Sequence, residues 1–123
     1  MGEIKINLLH KQLRLFNELA IIENFNLQIH VDYNFESSSI NETKLVLDYL
    51  FDLYEGTKTK FGTLHCTYEF IIDEAYQVVT LNEETENMMV RYCLKHNGNN
   101  IRELIKTALD EERISIKEEM ILN

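Results

Sequence analysis

The 123-residue sequence contains no proline and no tryptophan, and only two cysteines and four glycines. Without proline, its turns must be built from Asn, Ser, Asp and Gly. Glycines at positions 2, 56, 62 and 98 alone cannot make a phosphate-cradling loop, and no nucleophile elbow or Cys-x-x-Cys pair is present. Cys66 and Cys93 are too few to staple a secreted domain and read as buried thiols of a reducing compartment. No apolar run approaches the ~20 residues that span a bilayer, and the start lacks the basic flank and apolar block of a secretory signal. Met1-Gly2 opens like a myristoylation signal, but Ile6 stands where Ser or Thr is needed. These absences point to a cytoplasmic protein without a membrane anchor.

Basic charge is also scarce. Twenty-one acidic residues face 12 basic ones, for a net charge of −9. The acid excess runs through residues 1–36, 37–75, 76–114 and 115–123 alike. A nucleic-acid-binding surface needs a basic footprint, so direct DNA binding is not expected. An acidic surface suits solubility, or a partner with a basic face.

What the chain does have is material for a core: 45% of its residues are hydrophobic, among them six Phe and six Tyr. Its length suits one domain, residues 1–123. Leu9, Leu13, Phe16 and Ala20 recur at helical spacing, which predicts an amphipathic helix over 8–25. Leu27, Ile29, Val31, Tyr33 and Phe35 alternate with Gln28, His30, Asp32 and Asn34, the pattern of a half-buried strand over 27–35. Ser39 and Glu42 form a capping box for a mostly apolar helix over 40–55 that ends near Gly56. Alternation returns over 63–72, with a tight turn at Asp73-Glu74-Ala75 into a second strand over 76–81. A helix through 68–79 is the competing reading, and the abundance of Val, Ile, Tyr, Phe and Thr favours strands. Helices follow over 83–96 and 101–112, with a short terminal strand near 113–117. The fold class expected from this pass is α+β: a small antiparallel sheet of three to four strands packed with four helices.

Residues 76–112 resemble the ribbon-helix-helix family of dimeric DNA-binding regulators. The strand Gln77-Val78-Val79-Thr80-Leu81 precedes a helix that closes at Gly98. Asn100-Ile101-Arg102-Glu103-Leu104-Ile105-Lys106-Thr107-Ala108-Leu109 is similar to the capped second helix of that family. The resemblance implies a homodimer whose paired strands enter the major groove. Asn82 stands where the family commonly has Pro. The outward set Tyr76, Val78 and Thr80 lacks the polar and basic side chains that read bases.

One constellation could carry chemistry. If strand 27–35 pairs with strand 63–72, His30, Asp32, His65 and Glu69 share a wet face, where two imidazoles and two carboxylates could bind a metal or move protons. The bland alternative is the solvated side of a sheet. Cys66 and Cys93 have no basic neighbour in sequence and read as core. With no catalytic residue and no cofactor identified, the leading expectation is a non-enzymatic acidic binding protein. By analogy of size and charge, it would be a phage or mobile-element inhibitor of a nucleic-acid enzyme, or a toxin-immunity protein. Its contacts to a basic protein partner would be Asp48, Asp52, Glu55, Asp73, Glu74, Glu83, Glu84 and Glu86. A ribbon-helix-helix regulator or antitoxin is the second reading, and a metal-dependent enzyme using His30 and His65 the third.

Overall fold

The computed structural model describes residues 4–16, 21–39, 42–73 and 83–116. Four long strands make one sheet: β1 (Ile4–Leu15), β3 (Phe25–Ser39), β4 (Glu42–Glu55) and β5 (Thr59–Asp73). Their order is β1-β5-β4-β3, and every neighbouring pair is antiparallel. Two helices follow, α1 (Glu83–His96) and α2 (Gly98–Glu111), and both lie on one face of the sheet. A small parallel pair joins β2 (Ile21–Ile22) to β6 (Ser115–Ile116).

This architecture overturns the four-helix expectation, because the segments 8–25 and 40–55 are not helical. The described part of 8–25 is largely strand β1 with β2, and 42–55 is strand β4. In β1 the register shifts between Leu8 and His10. Such a bulge inserts one residue and reverses the alternation, so the half-buried Ile4 and Ile6 before it are followed by Leu13 and Leu15 after it. The broken period of two left Leu9, Leu13 and Phe16 at a spacing that imitates a helix.

Strand β4 misleads differently. Leu45, Leu47, Tyr49, Phe51 and Leu53 are all buried on the helix side, while Val46, Leu50 and Tyr54 give its other face apolar members too. A strand with neighbours on both sides and apolar residues on both faces hides its alternation. The Ser39/Glu42 pair is no helix cap: Ser39 lies opposite Glu42 across the β3–β4 hairpin. Residues 68–73 continue β5 as strand. The expected strand 76–81, with the ribbon of the ribbon-helix-helix resemblance, lies outside the described residues. The helices over 83–96 and 101–112 are present, the second beginning three residues earlier, and the terminal strand appears as β6.

The core lies between sheet and helices. Phe51, Phe61, Leu64, Phe70 and Ile72 of the sheet meet Met89 and Cys93 of α1 and Ile101, Leu104, Ile105, Ala108 and Leu109 of α2. Asn97, in the turn between the helices, is fully buried; its amide donates to the Tyr49 hydroxyl at 3.2 Å and accepts from Asn100 at 3.0 Å. One buried amide thereby pins the helical hairpin to the central strand. At the end of β4 the Glu55 carboxylate accepts the backbone N–H groups of Glu23 (3.0 Å) and Asn24 (3.2 Å), just ahead of β3. Gly56 turns the β4–β5 hairpin at φ 69°, a conformation that suits glycine. At Gly62 a Cβ would lie 2.6 Å from the Arg14 carbonyl oxygen, so glycine is what lets β1 approach β5 there.

Candidate functional site

The helix-side face of the sheet is not covered to its edge. Toward β3 the helical layer stops short, leaving an open groove of about 440 Å³ lined by Ile29, Val31, Tyr49, Phe51, Leu94, Lys95, Gly98 and Ile101. Its floor holds the Tyr49 and Phe51 rings, stacked with centroids 5.7 Å apart at 7°. At its mouth the inward row of β3 reaches solvent: Ile29 is 39% exposed and Tyr33 45%. An alternating strand puts apolar residues on the core side, and here Ile29 and Tyr33 have little core above them while Leu27, Val31 and Phe35 pack against it. Exposed apolar side chains gathered beside an apolar groove mark an interaction surface. Lys95 is the charged group in the lining. Burial pushes the Tyr49 hydroxyl up to about 12, despite its bond from Asn97, so it stays a neutral phenol.

A second apolar groove, about 340 Å³, lies toward the other edge between β1 and α2, lined by Ile6, Leu8, Tyr68, Asn100, Glu103, Leu104 and Thr107. It is more open and more polar at its rim.

The opposite face of the sheet carries the polar residues. The pairing that would bring His30, Asp32, His65 and Glu69 together does not occur, since β4 stands between β3 and β5. His30 and His65 both lie opposite Leu50, one on each side. Two strand spacings, about 9.6 Å, separate their backbones, too far for one metal with ligand bonds of about 2 Å. Each group has its own partner. His30 Nε2 lies 3.3 Å from Asp52, His65 Nε2 donates to Asp48 at 2.6 Å, and Glu69 takes Lys44 at 3.4 Å. Asp32 lies opposite Asp48 with no such partner among the described residues. Among the described residues no group of three or more His, Cys, Asp or Glu is placed to hold a metal.

The acidic residues do not form one surface. Asp52 is buried and binds Lys60 at 2.9 Å; that bond, helped by His30, holds its carboxyl below the usual carboxylate range. Asp48 accepts from His65 and Thr67, and Glu55 accepts two backbone amides. Asp73 ends β5, and Glu74 lies outside the described residues. Glu83, Glu84 and Glu86 form the first turn of α1, where the helix dipole favours them. Cys66 and Cys93 are buried and free, and burial pushes their thiols up to about 12 and about 11, so neither offers a thiolate. No helix among the described residues is long and apolar enough to cross a membrane.

Sequence reasoning missed the groove entirely. The alternation of β3 reads as one buried row, and only the order of the strands reveals that Ile29 and Tyr33 sit at an uncovered edge.

No protein-family model matches the chain, and no curated protein matches it in sequence. Among solved structures, the fold is similar to a SecB-like chaperone of Mycobacterium tuberculosis (Rv1957), solved in complex with a ChAD peptide from the HigA1 antitoxin (Rv1956). The TM-score is 0.68 at 14% identity, over 98% of this chain and 90% of that one. At that identity the likeness is one of fold alone.

Proposed function

We propose that this protein holds other polypeptides, taking extended apolar segments into the groove between β3 and the α1–α2 turn. The observation that carries this reading is the exposed pair of inward-facing side chains on β3, Ile29 and Tyr33, beside a groove floored by aromatic rings. A fold shared with a chaperone solved in complex with a peptide supports it. Each large apolar side chain buried there contributes about 1.5–3 kcal/mol before the ordering of the segment is subtracted, so micromolar binding, about 8 kcal/mol net, needs several anchors along the segment.

This reading replaces the one built on acidic contacts to a basic partner. Asp52 and Glu55 spend their oxygens on groups of the same chain, while Asp48, its side chain 47% exposed, and the start of α1 stay accessible for contacts of that kind. The ribbon-helix-helix alternative loses its dimer core, because the apolar side of α2 is buried against the chain's own sheet.

The test is titration of a reduced, carboxymethylated protein that cannot refold, followed by calorimetry. Binding with a negative heat-capacity change is expected, weakened on the order of tenfold by Ile29→Asp. Equal binding by wild type and Ile29→Asp, or none by either, overturns the proposal. Salt separates the two contact chemistries: apolar binding persists at high ionic strength, whereas acidic contacts to a basic partner weaken steeply.

A further inference from the structure

The bulge in β1 changes which of its side chains faces outward. Leu8 lies opposite Tyr68 and His10 opposite Thr67, so Leu9 is the extra residue. In an unbroken ladder Leu9 would stand opposite Thr67, and His10 opposite Cys66 on the buried face. The extra residue instead turns His10 to the outer face beside Thr67, the kind of re-aiming that bulges provide. There its ring meets that of His65 on β5, with centroids 5.1 Å apart and planes at 61°.

His65 is held from its far side. Its Nε2 donates to Asp48 Oδ1 at 2.6 Å, and the Thr67 hydroxyl donates to the same oxygen at 2.8 Å. With the proton on Nε2, the neutral ring keeps its lone pair on Nδ1. A carboxylate in that position fixes the tautomer and raises ring basicity, as it does behind metal-bound histidines. The spacing of the rings also fits a metal. With nitrogen–metal bonds of about 2 Å, an ion between the rings lies about 3 Å from each centroid. Centroids 5.1 Å apart then subtend an angle close to tetrahedral at the ion. His10 is exposed and the His65 side chain is 39% exposed, so an ion can reach both. Asp48 and Asp32, opposite one another in the same row of the sheet, add negative charge nearby. Among the described residues no third such side chain converges on the pair, so water would complete the coordination.

We propose that His10 and His65 form a two-imidazole site for a divalent transition ion, zinc by its geometry, with Asp48 positioning His65 in the ligating tautomer. Imidazole selects zinc, copper or nickel over magnesium and calcium, which prefer oxygen. The ion would tie the outer strand β1 to β5 at the bulge, on the face of the sheet away from the helices. The site stands on outer-face residues and does not depend on what the groove binds.

Calorimetric titration of the untagged, metal-free full chain with zinc chloride is expected to show one ion per chain, and magnesium chloride none. Asp48→Asn should weaken zinc binding on the order of tenfold to a hundredfold, as loss of a carboxylate behind a ligand does. His10→Ala and His65→Ala should each weaken it further, while His30→Ala on the same face leaves it unchanged. His10 is exposed, so its replacement reads binding and not folding. Nitrogen NMR of the imidazoles should show His65 Nδ1 and one nitrogen of His10 moving with zinc, with His30 and His96 still. In the same spectra Asp48→Asn should alter the tautomer of His65 before zinc is added, a change that a merely structural role would not produce. Zinc binding that survives both His10→Ala and His65→Ala overturns the proposal. So does the absence of saturable zinc binding, or magnesium binding of equal strength.

Discussion

The two edges of the sheet occupy equivalent positions and are built in opposite ways. The outer strand β1 carries Lys5, His10, Lys11 and Arg14 with no acidic residue, and a bulge breaks its line at Leu8–His10. Lys11 reaches across to Glu111 of α2 at 3.7 Å. The outer strand β3 has a regular ladder, acidic residues on one face and the exposed Ile29 and Tyr33 on the other. Charge and a bulge are the usual means of keeping an edge from pairing, so β1 is guarded and β3 is left available. Chemistry, and not position in the sheet, decides which edge can take a partner.

The harshest way to break the comparison is to remove what both edges lean on. Phe51 is fully buried in the central strand, so Phe51→Ala should cost about 3–5 kcal/mol. Urea unfolding should show that loss, against less than about 1 kcal/mol for Ile29→Ala at the open edge.

A cleaner break loosens one edge alone. A Cβ at Gly62 would meet the Arg14 carbonyl oxygen at 2.6 Å, so Gly62→Val should cost about 1–3 kcal/mol. Hydrogen exchange should then show β1 amides losing protection while those of β3 and β4 keep theirs. Loss spread evenly over the sheet would mean that the two edges are not independent.

At β3 the comparison sharpens in the other direction. Asp32→Lys replaces a like-charge pair with Asp48 by an opposite one and should stabilise the chain by about 0.2–1 kcal/mol. Thermal unfolding of the isolated variant checks this, and an unchanged or lower melting temperature contradicts it.

The smallest effect is a pH dependence centred on Asp52. Its carboxyl lies below the ordinary value because of Lys60 and His30, so its contribution is fully present above the unfolded value of about 3.9. That contribution is lost as pH falls through the lower folded value. Asp52→Asn should flatten the acid limb of the stability curve there and leave the neutral region unchanged in shape.

Part of this molecule was legible in its sequence. The helices α1 and α2 announced themselves through the acidic first turn Glu83–Glu86, the buried stripe Ile101–Leu104–Ile105–Ala108 and the Gly98 break. The strand through Leu27–Phe35 was legible because one face is apolar and the other polar. The strands β1 and β4 were not, for physical reasons that differ. A bulge in β1 shifts the alternation by one residue, and the central place of β4 puts Val46, Leu50 and Tyr54 on the face that a solvated strand would leave polar. Tertiary pairing overrode local propensity in both. The groove depended on strand order, which local pattern does not encode, and the His30/His65 constellation dissolved for the same reason.

The most direct test of the groove and the edge together is hydrogen exchange with and without bound non-refolding polypeptide. Added protection is expected along β3, at Leu94–Ile101 around the α1–α2 turn, and not along β1. Protection confined to β1 or to the first turn of α1, with β3 unchanged, would contradict the assignment of the exposed Ile29 and Tyr33 edge as the binding surface.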